Sequence, residues 1–276
     1  VFGRERVEYK TVEQVRAMRR AGLVVSAALS EVRATIAPGV TTRALDDVAA
    51  RVIGGAGAKP SFLGYHGFPA TICVSVNDEV VHGIPGSRVL DEGDVVSVDC
   101  GAIVDGWHGD SAFTVVVSAG SAKDDALVAS TERAMWAGIA ALSESRRVNE
   151  VGTVIERAVH QEAGRSGLTY GIVEDFVGHG IGTAMHQPPD VPNYRTNGRG
   201  ARVRPGLCVA VEPMLTLGDQ ATRVCEDDWT VVTADGSRAA HWEHTVAVLE
   251  DGLFVLTDAD GGDQRLGELG VRIATL

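Results

Sequence analysis

A chain of 276 residues, 45% hydrophobic and 22% charged, is long enough to bury a large core and has an ordinary globular composition. Its net charge of −12 argues against a broad nucleic-acid footprint, and no apolar run reaches the length of a membrane span. The four cysteines, Cys73, Cys100, Cys208 and Cys225, have no C-x-x-C spacing, which excludes a zinc finger or thioredoxin-like motif and reads as free thiols in a reducing compartment.

The first ten residues, VFGRERVEYK, are polar and charged, unlike a signal peptide, so an N-terminal extension and a cytoplasmic location are expected. Thr11-Val-Glu-Gln14 is a capping box opening a helix through VRAMRRAGLVVSAALSEVRATI, which stops at Pro38-Gly39. Thr41 or Thr42 caps a second helix, RALDDVAARVI, ended by Gly54-Gly55. The stretch KPSFLGYHGFPA follows, then the strands TICVSV, VVSVDCGAIV and SAFTVVVS. Helices resume after Ser121 or Asp124, and again after Asn149 through EVGTVIERAVHQEAG. YGIVEDFV reads as a strand, followed by a loop, the strand LCVAVEP, and last strands around WTVVT and HTVAVLEDGLFVLT.

Each half therefore runs helix, helix, strands. HGI occurs at 82–84 and again at 179–181, and GDVVSVD (93–99) matches GLCVAVE (206–212). Asp110, heading SAFTVVV, matches Glu243, heading HTVAVLE. These landmarks predict one domain with internal pseudo-two-fold symmetry, built from two copies of an α/β unit (about 11–118 and 121–256). Residues 257–276 are expected to form a tail.

Asp105-Gly106 is a hairpin dipeptide. A two-residue turn there pairs Gly101 with Asp110 and puts Asp99 and Asp110 on one face, about 7–8 Å apart. Two carboxylates facing each other in an apolar sheet repel and need a cation between them. Between residues 93 and 118 the only basic side chain is His108, which reads as a structural or exposed histidine. Glu212 and Glu243 stand at the matching positions of the second half. With His179 from GHGIG, five ligands could converge, a charge suited to two divalent ions of the Mn, Fe, Co or Zn type.

SVDCGAIVDGWHGD, GHGIGTAMHQPP, VAVEPM and WEHTVAV together resemble the signatures of type I methionine aminopeptidases, whose fold is the pita bread. YHGFPATICVSVNDEVVHGIP is similar to that family's substrate-pocket segment. The resemblance runs from about Thr11 to about Leu256 and implies one α/β catalytic domain over 11–256, its two halves arranged around a central antiparallel sheet. It implies that Asp99 chelates one metal, that Asp110 and Glu243 bridge both, and that His179 and Glu212 complete the other site. It further implies that Glu212 is the general base. His82 would bind the substrate amide and help protonate the leaving amine, and His186 would contact the scissile carbonyl. Tyr65, Phe68, Cys73 and Trp229 would line the methionine pocket, with His82 at its edge. His82 and His179 are repeat equivalents, and the residues alone do not say which is a ligand. Phe62 and Val81 stand where the family often has cysteine, and Met185 where it often has an aromatic residue.

The implied function is removal of the initiator methionine from nascent chains when the second residue is small, by a monomer in transient contact with the ribosome. No membrane or specific nucleic-acid partner is expected, and no basic run in the sequence marks a ribosome-docking surface. The rival readings are an Xaa-Pro aminopeptidase or prolidase, which usually carries an extra N-terminal domain, and a non-catalytic binding protein on the same scaffold, which typically loses its metal ligands.

Overall fold

The computed structural model describes residues 7–198 and 200–276. The first half contributes α1 (Val12–Thr35), α2 (Thr42–Gly55), β1 (Lys59–Pro60), β2 (Ile72–Val76), β3 (Glu79–Val81), β4 (Val95–Val104) and β5 (Trp107–Val116). The second begins with α3 (Ala122–Ala141) and α4 (Asn149–Ser166), followed by β6 (Gly171–Ile172), β7 (Gly178–Gly180), β8 (Gln187–Val191) and β9 (Cys208–Val211). Then come β10 (Met214–Thr216), β11 (Thr222–Val224), β12 (Val231–Thr233), β13 (Ala239–His241), β14 (Glu243–Leu249), β15 (Gly252–Val255) and α5 (Asp263–Glu268).

Three of the four long helices start as the capping chemistry predicts. Thr11 and Gln14 form the reciprocal capping box of α1, Thr41 accepts from Ala44 N to open α2, and Ser121 and Asp124 form a second box at α3. The fourth departs from expectation. Val148, with no side-chain cap, precedes α4, and the Asn149 amide instead donates to Gly198 O at 2.6 Å. Tertiary bonding to the 198–203 segment replaces the local cap there.

The main antiparallel sheet has the order β1-β4-β5-β14-β9-β7-β8, with β2 also on β4 and β15 on β14. The sequence β4-β5 | β14-β9 is mirrored about the seam where the halves meet. On β4, Val96, Val98, Cys100 and Ala102 join a core shared with the helices, and alternation sends Ser97, Asp99 and Gly101 to the opposite face. Helix α1 buries Val15, Met18, Val25, Leu29 and Val32 at helical spacing. It approaches so closely that a Cβ on Gly22 would lie 2.0 Å from Leu256 O.

Two boundaries differ from those read in the sequence. Residues 7–10 are tied to the second half, Lys10 N donating to Gly206 O at 2.7 Å. Residues 257–276 are also part of the fold: Leu266 and Ala274 are buried, and Ile273 bridges Leu253. Residues 1–6 of the expected extension lie outside the described residues. Of YGIVEDFV only Gly171–Ile172 forms a strand, and Phe176 beyond it lines the central cavity. The expected loop before LCVAVEP contains β7 and β8.

Candidate metal centre

The β4–β5 hairpin has the geometry that Asp-Gly favours. Asp105 and Gly106 have φ of 51° and 82°, and Gly101 pairs with Asp110 while Asp99 pairs with Ala112. Asp99 and Asp110 therefore share the face away from the helices. Asp105 is a surface turn residue, ion-paired with Arg20 at 2.9 Å. His108 is structural, its Nδ1 hydrogen-bonded to Ser61 Oγ at 3.0 Å.

Glu243 opens β14 opposite Ala112, and Glu212 directly follows β9. Only two residue pairs join β5 to β14, and side-chain hydroxyls reinforce this short seam. Ser111 Oγ donates to Glu243 O at 2.6 Å, and Thr245 Oγ1 donates to Asp110 O at 2.8 Å. Thr114 Oγ1 donates to His241 O at 2.6 Å. The backbones of Asp110 and Glu243 are thus each pinned by a hydroxyl from the other half.

His179 is the middle residue of β7. A Cβ on Gly178 would sit 2.4 Å from Ala210 O, and one on Gly180 would sit 2.3 Å from Pro188 O, so only glycine lets the neighbouring strands close around the histidine. His179 Nδ1 donates to Gly180 O at 3.0 Å, and burial lowers its pKa to about 3. The neutral ring therefore keeps a lone pair on Nε2, which lies 3.3 Å from Glu212 Oε1.

Ligand atoms of Asp99, Asp110 and Glu243 all lie within 4.8 Å of one another, as do those of His179, Glu212 and Glu243. Glu243 belongs to both groups. A third such group joins Asp110 and His179 to His186. Asp99 Oδ1, Asp110 Oδ1 and Glu243 Oε1 are buried without any hydrogen-bond partner, and no lysine or arginine lines the cavity among the described residues. Burial pushes Asp99 up to about 7, and burial followed by mutual repulsion pushes Asp110, Glu212 and Glu243 well above the usual carboxylate range. A converging set of hard oxygens with one prepared imidazole and no cationic side chain fits divalent metal. A structural Arg or Lys partner is ruled out within that cavity.

The same cavity, about 160 Å³, extends from the acids into an apolar pocket. Tyr65, Phe68, Cys73, His82, His186 and Trp229 all line it, as expected. Phe68 and Trp229 meet edge to face at 5.1 Å, and Cys73 stands opposite Asp99 on β2. Phe62, Val81 and Met185, the three departures from the family pattern, also form its wall. Tyr65 OH is hydrogen-bonded to His186 Nδ1 at 2.9 Å, which leaves Nε2 of His186 free of that bond. His82 has φ of 61°, a left-handed conformation rare for a non-glycine residue and of the kind that gathers at functional sites.

The two HGI stretches do not occupy equivalent places. His179 is on β7, directly beside β9, whereas Gly83 O accepts from Val74 N on β2, one strand farther out from β4. The β2–β3 hairpin intervenes, so His82 reaches the pocket rim and not the ligand position.

Sequence reasoning missed three contributors. His241 Nε2 is buried, unpartnered and 3.8 Å from Glu212 Oε2; its place two residues before Glu243 was the available signal. Phe176 meets His82 edge to face at 5.4 Å. Glu8 accepts from Gln187 Nε2 at 2.6 Å and Thr183 Oγ1 at 3.2 Å, clasping both sides of the loop that presents His186. Beside it, the side chain of Lys10 is 1% exposed and 3.6 Å from Glu8. No local pattern marks the last pair, since its partners lie far along the chain.

The comparisons agree with this geometry. The family model for metallopeptidase family M24 matches residues 16–250. Methionine aminopeptidase 1 of Mycobacterium tuberculosis is 52% identical over 92% of this chain and 96% of its own. Methionine aminopeptidase 1 of Bacillus subtilis is 42% identical, covering 90% and 98%. The crystal structure of methionine aminopeptidase from Thermotoga maritima superposes with a TM-score of 0.87 at 38% identity, over 92% of this chain and 100% of that one. Prolidase from Pyrococcus furiosus, at 19% identity and a TM-score of 0.70, shares the fold alone, and this chain covers 65% of it. No helix among the described residues is long and apolar enough to cross a membrane. Ligand set, pocket and relatives together make the chain a member of metallopeptidase family M24, of the type I methionine aminopeptidases with their pita-bread fold.

Proposed function

We propose that this metal-dependent methionine aminopeptidase works with two divalent ions, Asp99 chelating one, His179 and Glu212 the other, and Asp110 and Glu243 shared between them. The observation that carries the reading is the set of unpartnered buried oxygens on Asp99, Asp110 and Glu243 around one cavity. When bound, such ions lower the pKa of a water and polarise the scissile carbonyl.

The chain's own residues do the rest. The apolar wall of Phe62, Phe68, Cys73, Met185 and Trp229 holds the methionine side chain, whose polarizable thioether suits aromatic and sulfur neighbours. Glu212 takes a proton from the attacking water, whose oxygen adds to the carbonyl carbon. His186, oriented by Tyr65, hydrogen-bonds the carbonyl oxygen as negative charge builds on it. His82, which burial holds neutral with a pKa near 4, donates to the substrate amide. As the C–N bond breaks, the proton held by Glu212 passes to the leaving amine on His82's side of the pocket. Substrates are nascent chains with a small second residue, met by a cytoplasmic monomer in transient contact with the ribosome.

The test is release of methionine from Met-Ala-Ser by protein reconstituted with Mn, Fe, Co or Zn, alongside calorimetric counting of sites. Cleavage of Xaa-Pro dipeptides with none of Met-Ala-Ser would overturn the reading. A single binding event unaffected by Asp99→Asn would overturn the two-ion assignment.

A further inference from the structure

On the far side of β8 lies a second, larger groove of about 1200 Å³, sharing no lining residue with the active site. Two distant segments build it. Val148 N donates to Ala201 O, Val203 N donates to Arg146 O, and between them Arg147 and Arg202 form an antiparallel bridge. This short ladder gathers Arg146, Arg147, Arg202 and Arg204, with Arg195 on the same loop. Arg147, Arg202 and Arg204 line the groove directly, against one acid, Asp190.

This arrangement breaks a local rule. Like charges directly opposite in an antiparallel pair destabilise it, and here two arginines face each other. Six arginines elsewhere, Arg20, Arg88, Arg133, Arg165, Arg238 and Arg265, are ion-paired, while the Arg147 guanidinium reaches only a backbone carbonyl, Gly200 O at 3.1 Å. None of the groove arginines is ion-paired among the described residues. This like-charged pair has no acidic partner among the described residues, and an anion from outside would relieve it.

The geometry points to an occupant: we propose that this groove binds the phosphodiester backbone of single-stranded RNA, without sequence preference. Guanidinium forks match phosphate oxygens. The Arg204 guanidinium stacks on Tyr9 at 3.7 Å, and Tyr9 OH donates to Arg202 O at 2.8 Å, which holds the ring in place. Such a guanidinium–aromatic platform accepts an unstacked base, which a peptide of acidic residues alone does not offer. The groove's size suits a polymer and not a small anion. The net charge of −12 opposes binding only weakly at this spot, because charges beyond about 10 Å are screened at 0.1 M salt.

Binding of a fluorescein-labelled oligouridylate, followed by anisotropy between about 50 and 200 mM salt, tests the proposal. Three phosphate contacts on a single strand predict a log–log salt slope of about −2, falling to about −0.7 in Arg147→Gln/Arg202→Gln, with affinity at least about tenfold weaker at low salt. Arg43→Gln/Arg51→Gln, on α2, should leave both unchanged. Met-Ala-Ser hydrolysis should be the same in all these proteins, which separates this site from the metal centre and shows that the variants fold. Absence of RNA binding at low salt, equal loss in the α2 variant, or tighter binding of polyglutamate than of RNA would each overturn it.

Discussion

Asp99→Asn should stabilise the metal-free protein and destabilise the metal-loaded one. In the metal-free fold, burial raises Asp99 from an ordinary 3.8 to about 7. A carboxyl whose pKa is raised by folding costs nothing below its unfolded value. It then takes stability away as pH climbs through the window from about 4 to 7, because the unfolded chain ionises first. The full effect is on the order of 4 kcal/mol, since each pH unit of separation is worth about 1.4 kcal/mol. With an unfolding entropy of about 2.1 cal/mol/K per residue over 276 residues, that is about 7 °C in melting temperature. The buried neutral histidines His179 and His241, both near 3, act oppositely, removing stability as pH falls below their ordinary 6.5. They are common to both proteins, so the difference between wild type and variant cancels them. Thermal melts in chelator should coincide near pH 4 and diverge in the variant's favour by pH 8. With saturating metal the order should invert, because the variant has lost a ligand. Coincident metal-free melts at pH 8 would refute the claim that Asp99 is held as an unpaired buried acid.

Other outcomes follow from contacts described above. Glu8→Gln removes a charged acceptor from the His186 loop and should lower kcat about tenfold, in keeping with about 1.5–3 kcal/mol for such bonds, while calorimetric metal affinity stays unchanged. Met185→Ala opens the pocket wall; selectivity for methionine over longer or bulkier first residues should fall at least tenfold, and urea melts should show a loss of about 2 kcal/mol. Gly22→Ala forces a methyl group into Leu256 O and should cost about 3 kcal/mol in the same melts, with the metal stoichiometry of the folded fraction intact.

What could be read in the sequence was what local rules control. The Asp-Gly turn set the register of its own hairpin, and strand alternation then put Asp99 and Asp110 on one face. The similarity of GLCVAVE to GDVVSVD placed Glu212 in the same way. What escaped depends on segments that meet only after folding. Arg147 and Arg202 are harmless apart, and become a like-charged pair only when the ladder beside α4 forms. Glu8 looked like part of a polar extension because its partners, Thr183 and Gln187, are in the other half. The HGI repeat stayed ambiguous for a related reason: His179 is on β7 directly beside β9, whereas the segment after His82 pairs with β2, one strand farther from β4.

The seam between β5 and β14 has a consequence for the order in which the molecule comes to life. It consists of two residue pairs and a few hydroxyl contacts, yet the catalytic acids are distributed across it. A chain still being synthesised owns Asp99 and Asp110 early, His179 and Glu212 later, and Glu243 only near the end. Because Glu243 belongs to two of the three ligand groups, neither of those can be complete until β14 docks. With the proposed ligand set, the enzyme would switch on as a late event of its own assembly, and a partly made copy would be inert toward the chains around it.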